Sequence, residues 1–260
     1  MKNQKSTKTQ RRYFADFSYN GTNYHGWQFQ KNALSIQQVL EDGLSSLLKT
    51  PIKIYGAGRT DSGVHALQMI AHFDIPMSFE NLNAYVKPMN SYLGKDIKLN
   101  SFYQVKPNAQ ARFDAISRTY RYHIHFEKDV FNQDFSYYLF TQIDHNQIIK
   151  ALEIIKCHSD FKCFSKSKSD VSHFLCEIKD VQWNYHQHKA VFSIKANRFL
   201  RGMVRCIVGT LIQIGKNKIS IEELKSILNS GDRKKAGYSV PAKGLFLTSI
   251  EYPSDIYLTQ

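Results

Sequence analysis

At 260 residues the chain can bury one large core or two modest ones. Its 42% hydrophobic and 13% aromatic content excludes a disordered polypeptide, and no apolar run approaches the roughly 18–20 residues of a membrane span. Lys and Arg number 35 against 22 acids, a formal charge of +13 that suits a polyanionic partner, because neutralising phosphates releases counterions.

Residues 1–12 carry Lys2, Lys5, Lys8, Arg11 and Arg12 with no acid and no apolar signal-peptide core, so a flexible basic tail is expected there. From Tyr13 the alternation of Tyr13, Ala15, Phe17 and Tyr19 predicts a strand. Ser35 followed by Gln38 predicts a helix start, and Ile36, Val39, Leu40, Leu44, Leu47 and Leu48 fall on one helical stripe behind it. A short strand near 51–56, a glycine-rich loop, a strand near 67–74, a helix near 79–93 and a strand near 97–105 complete a half spanning 13–109. The second half, 110–253, repeats the order. A strand is expected near 118–126, then a helix capped by Asp144 and carrying Ile148, Ala151, Leu152 and Ile155. Strands near 179–186 and 190–196 follow, then a helix from about Phe199 to Ile214, one opened by Ser220 and Glu223, and a last strand near 245–251. Residues 254–260 are expected as a short tail. The order β-α-β-β-α-β in each half predicts an α+β fold of two ferredoxin-like (split βαβ, RRM-like) halves side by side, with a largely antiparallel sheet and a central cleft suited to a ligand. Cys157, Cys163, Cys176 and Cys206 lack C-x-x-C spacing and read as reduced thiols of a cytoplasmic protein, with no metal site.

Three clusters could carry chemistry. Gly56 to Ala66 holds Gly56, Gly58 and Gly63 around Arg59, Asp61 and His65. Glycines and Asp61 alone would suit a long hairpin loop, but that does not account for Arg59 and His65 crowding the same turn. Ala111-Arg112-Phe113 and Arg118-Thr119-Tyr120-Arg121-Tyr122 mix guanidinium groups with tyrosines, which suits phosphate and stacked bases as well as it suits an ordinary strand. In Asn197 to Arg205, Arg205 lies beside the apolar stripe Leu200, Met203, Val204. It therefore needs a carboxylate or polar partner, or snorkels at the helix edge.

Taken together, Tyr19-Asn20-Gly21-Thr22, Gly26-Trp27-Gln28-x-Gln30, Gly58-Arg59-Thr60-Asp61-x-Gly63-Val64-His65-Ala66, Ala111-Arg112-Phe113, Arg118-x-Tyr120-x-Tyr122, Met203-Val204-Arg205-x-Ile207-Val208-Gly209 and Pro241-Ala242-x-Gly244-Leu245 resemble the tRNA pseudouridine synthases of the TruA type, in the family's order from Tyr13 to about Pro253. The resemblance implies conversion of uridine to pseudouridine in the tRNA anticodon arm, at positions 38 to 40, by a homodimer without a cofactor. It implies Asp61 as catalytic carboxylate, Arg59 as an aid to base flipping, Tyr120 as the ring against the target base and Arg205 as partner of Asp61. Arg112 and Leu245 are expected to touch the substrate, and Arg118, Lys166 and Lys168 the RNA surface. Asn20, Ala109-Gln110 and Cys206 depart from the family's pattern, which bears on local RNA contacts and site preference rather than on the reaction.

The chemistry fits these residue types. Breaking the uracil N1–C1′ bond and rejoining the ring through C5 is an isomerisation, which needs no electron or group carrier. The base must first leave its stack, costing a few kcal/mol. Asp61 could attack C1′, stabilise positive charge there, or remove a proton; each role needs the carboxylate ionised, and a nearby arginine favours the charged form. A glycoside hydrolase would want two carboxylates across the bond, and Asp74 lies a strand away. A silent RNA-binding protein would show paired exposed aromatics in an RNP1-like run, and a nuclease a metal cluster; neither pattern is present in the sequence.

Overall fold

The computed structural model describes residues 10–76, 81–166 and 171–258. Strands β1 (Gln10–Tyr19), β2 (Tyr55–Gly56), β3 (His65–Pro76) and β4 (Ile97–Val105) lie with α1 (Ile36–Leu48) and α2 (Val86–Tyr92) in the first half of the chain. The second half contributes β5 (Ser117–His125), β6 (Tyr137–Tyr138), β7 (Ile178–His186), β8 (Lys189–Ala196) and β9 (Leu245–Glu251), with α3 (His145–Cys157), α4 (Met203–Gly215) and α5 (Ile221–Ser230). Among the described residues nine strands form one sheet in the order β4-β1-β3-β9-β5-β8-β7, with β2 on β3 and β6 on β5. Pairing is mostly antiparallel. The seam between the halves is the short parallel pair β3·β9, where His65 faces Phe246 and Ala66 faces Leu247. The fold is therefore α+β with a large, mostly antiparallel sheet.

Local chemistry explains the helix starts. The Ser35 hydroxyl accepts the Gln38 N–H, the Asp144 carboxylate accepts from Asn146 and Gln147, and Ser220 and Glu223 form a reciprocal capping box. Apolar stripes then dock each helix on the sheet. One core gathers Phe14, Phe17, Leu40, Leu44, Phe73 and Phe102; the other gathers Tyr122, Phe161, Phe164, Phe192, Ile207 and Leu211. Leu247 and Ile250 of β9 belong to the first core, although they come from the second half of the chain.

The structure differs from the sequence expectations at several ends. The strand expected at 51–56 is regular only at Tyr55–Gly56. The helix expected near 79–93 is a 3-10 turn (Leu82–Tyr85) running into α2, and its first residues lie outside the described segments. Helix α4 starts at Met203 rather than Phe199, because Gly202 ahead of it is left-handed, with φ 73°. β1 begins at Gln10, so Arg11 and Arg12 of the expected tail are strand residues, and Arg12 pairs with Asp74 at 2.8 Å. The expected tail after 253 is docked: Ile256 is buried, and the Leu258 N–H donates to the Gln104 carbonyl of β4.

Candidate active site

The loop between β2 and β3 carries Asp61, and the residues around it explain why the surrounding glycines are needed. The Trp27 N–H donates to the Thr60 carbonyl (3.1 Å), and the Tyr19 hydroxyl bonds the Thr60 hydroxyl at 2.8 Å in a buried contact. A Cβ on Gly26 would stand 2.5 Å from the Thr60 oxygen, and one on Gly21 would stand 2.0 Å from the Val64 oxygen. Two early glycines thus let the β1–α1 segment lie directly on the backbone of the Asp61 loop. Within the loop, Gly63 has φ +75° and allows the turn closed by the Val64 N–H on the Asp61 carbonyl (3.2 Å). Gly56 leaves room for the Trp27 ring, whose atoms come within 2.5 Å of where its Cβ would be. Gly58 meets no such constraint.

Asp61 is held from the other half of the chain. Arg205, in the first turn of α4, donates from Nη1 to Asp61 Oδ2 at 3.3 Å, and its Nε is fixed by the Val240 carbonyl at 2.7 Å. Arg201 Nε stands 3.9 Å from the other oxygen, Oδ1. The Asp61 side chain keeps 32% exposure, Arg205 21% and Arg201 62%, so the carboxylate sits at an open edge between two cations. Arg201 was not singled out from the sequence. Its signal was its place four residues before Arg205, one helical turn away in spacing although it precedes the helix itself.

Tyr120, on β5, presents its ring edge-on to Phe199, centroids 5.0 Å apart. Burial pushes its hydroxyl up to about 12; nearby Arg118 opposes that shift and Asp61 adds to it, so the phenol is neutral and electrostatically coupled to the carboxylate. Leu245 opens β9, buried opposite Tyr122. Arg59 is exposed on the loop, and Arg112 is exposed with its guanidinium 5.4 Å from the Phe113 ring centroid. Lys166 is exposed, and its backbone N–H donates to the Arg201 carbonyl at 2.9 Å. Lys168 lies outside the described residues. Arg118, expected at the RNA surface, is turned inward instead: its guanidinium donates to the carbonyls of Asn197 (2.8 Å), Ala57 (2.9 Å), Ala115 (3.3 Å) and Arg112.

The departures from the family pattern fall outside the carboxylate's contacts. Asn20 Oδ1 accepts from both the N–H and the hydroxyl of Thr22, a turn an aspartate oxygen would make equally. Cys206 is fully buried in α4 with its Sγ 3.5 Å from the Gly237 carbonyl, so it offers nothing to an RNA. Asp74 is engaged by Arg12 and leaves Asp61 as the site's carboxylate among the described residues. A cavity of about 430 Å³ lies elsewhere, lined by Asp16, Gln68, Tyr103 and Tyr257 among others.

A family model described as tRNA pseudouridine synthase matches residues 15–114 and 158–253. A protein of Parabacteroides distasonis named tRNA pseudouridine synthase A is 42% identical over 247 residues, covering 95% of this chain and 98% of its own. One of the same name from Azobacteroides pseudotrichonymphae is 44% identical over 246 residues, with coverages of 95% and 98%. A third, from Treponema denticola, is 35% identical over 257 residues, covering 96% of each chain. With three quarters of its length inside the family model and these relatives matched almost end to end, the chain belongs to the tRNA pseudouridine synthase family.

Proposed function

We propose that this isomerase converts uridine to pseudouridine in the anticodon arm of tRNA, at positions 38 to 40, with Asp61 as the catalytic carboxylate. The observation that carries the reading is Asp61 itself, set between Arg205 and Arg201 at an open edge. An enclosed pocket would suit a free nucleoside; a carboxylate that keeps 32% exposure, on a loop that also carries exposed Arg59, suits a base delivered from a macromolecule. In this scheme Arg59 fills the space the base leaves, Tyr120 and Leu245 meet the flipped ring, and Arg112, Lys166 and Lys168 contact the RNA. Asp61 then acts at C1′ or as a base, oriented by the hydrogen bond from Arg205. Substrate and product are isomers, so the reaction consumes no electron or group carrier, and the resemblance implies that it runs without a cofactor.

The finer architecture belongs to the same reading. Strand orders β4-β1-β3-β2 and β9-β5-β8-β7 are the same arrangement twice, which supports two ferredoxin-like halves at 13–109 and 110–253 with the site between them. Among the described residues no helix is long and apolar enough to cross a membrane, and the protein is read as cytoplasmic. Homodimerisation follows from the resemblance.

Incubation with unmodified tRNA and no added cofactor, followed by pseudouridine mapping, tests the assignment. The wild type should form product in the anticodon arm. Asp61→Asn should bind the tRNA and form none; product at the wild-type rate from that variant would sink the mechanism.

A further inference from the structure

Arg118 stands where the three chemistry-bearing segments meet, and its hydrogen bonds reach all of them. Ala57 leads into the Asp61 loop, Arg112 and Ala115 bound the exposed stretch before β5, and Asn197 opens the segment that carries Arg201. Two of these residues are also held through their backbone N–H groups. The Ala57 N–H donates to the Ile70 carbonyl at 2.8 Å, and Asn197 exchanges backbone and side-chain bonds with Glu177 (3.1 and 2.9 Å). The two terminal nitrogens of Arg118 are thus matched to four carbonyl oxygens, Nη1 to Ala115 and Asn197 and Nη2 to Ala57 and Arg112, a forked pattern that a guanidinium can satisfy and a three-donor ammonium cannot. Burial pushes the pKa of the Arg118 guanidinium below its ordinary value; Tyr252 and Tyr120 oppose the shift, and neighbouring Arg112 and Arg198 add to it.

We propose that Arg118 is a positioning residue, clamping the backbone of the Asp61 loop to the segments bearing Arg112 and Arg201, rather than a residue that binds tRNA phosphate. The role rests on the assignment of Asp61 as the catalytic carboxylate. Asp61 and its Arg201 partner come from parts of the chain about 140 residues apart, and the Ala57–Arg118–Asn197 bridge is one of the direct polar links between their segments. Loss of the clamp lets the loop shift relative to the cations, and displacements near 1 Å cost on the order of 10²-fold in rate.

The test uses Arg118→Lys and Arg118→Ala in the full chain, with three measurements. These are single-turnover pseudouridine formation at saturating unmodified tRNA, tRNA affinity across a salt series, and the effect of added methylguanidinium. Rates are taken below the melting onset of each variant, and Arg118→Lys carries the test if Arg118→Ala does not fold. Both variants should lose about 10²-fold in rate, with affinity within about threefold of wild type and an unchanged salt slope. Methylguanidinium should restore part of the Arg118→Ala rate and none of the Asp61→Asn rate. A wild-type rate in Arg118→Lys would overturn the clamp, as would a salt slope shallower by about one unit in Arg118→Ala at an unchanged rate, the mark of a phosphate contact. Absence of product from the wild type would instead strike the function itself.

Discussion

Asp61 receives two arginines of unequal weight. Arg205 approaches to 3.3 Å, is mostly shielded, and is itself oriented by the Val240 carbonyl; Arg201 stands at 3.9 Å with most of its side chain in solvent. Exposed pairs contribute only about 0.2–1 kcal/mol, so Arg201→Ala should slow the single-turnover rate no more than about fivefold. Arg205→Ala removes the cation that holds the carboxylate in place and should cost about 10–10² fold in rate, with tRNA affinity less affected. Equal losses from the two substitutions would count against this ranking. In the sequence Arg205 drew notice because a charge beside an apolar stripe needs a partner. Arg201 drew none, since before a helix start its direction depends on Gly202 turning left-handed.

At the scale of elements, β3 carries the loop on one end and a pair of neutral histidines along its length. His65 Nδ1 accepts the Gly21 N–H at 3.2 Å, which leaves Nε2 as the donor to the Lys243 carbonyl at 3.1 Å. His72 Nδ1 accepts the Ala111 N–H at 3.1 Å, and its ring stacks on Tyr55. A proton on either Nδ1 would set two donors against each other. Desolvation lowers both from the ordinary value, helped at His72 by Arg12, which brings it to about 4. A folded value below the unfolded one means that the unfolded chain binds more protons. The stability from these contacts is therefore complete above about pH 6.5 and lost as pH falls toward 4. Discounted for partial exposure, His72 should contribute on the order of 1–2 kcal/mol to that loss. Urea unfolding at pH 7 and pH 4.5 should show the decline, and a His72→Gln variant should show a smaller one. An equal decline in that variant would refute the assignment to His72.

For the whole molecule, the nine-stranded sheet leaves strongly exposed apolar side chains on the second half, notably Phe131 (90%) and Phe140 (81%). Apolar groups so open to water are the kind that association covers. Light scattering should give twice the chain mass, and a monomer at micromolar concentration would reject the dimer. Much of this molecule was legible in its residues. Periodicity located helices α1, α3 and α4 and a capping box located α5, because burial of one face imposes a 3.6-residue repeat and a helix start needs its free N–H groups satisfied. The motif set, read in order, named the family and picked out Asp61. What the sequence could not decide lay in contacts between distant segments. Two-residue strands such as β2 and β6 carry too few side chains to show a repeat, and the docked segment after Pro253 is held by backbone bonds to β4 that have no composition signal. The direction of Arg118 belongs here too. Two-residue alternation along β5 sets it on a face with Tyr120, but only the folded chain brings the carbonyls of Ala57 and Asn197 to its guanidinium. Local pattern marked the candidate residues, and the resemblance paired Arg205 with Asp61; tertiary packing decided that Arg201 joins them and that Arg118 turns to the backbone, because that depends on the meeting of segments far apart in the chain.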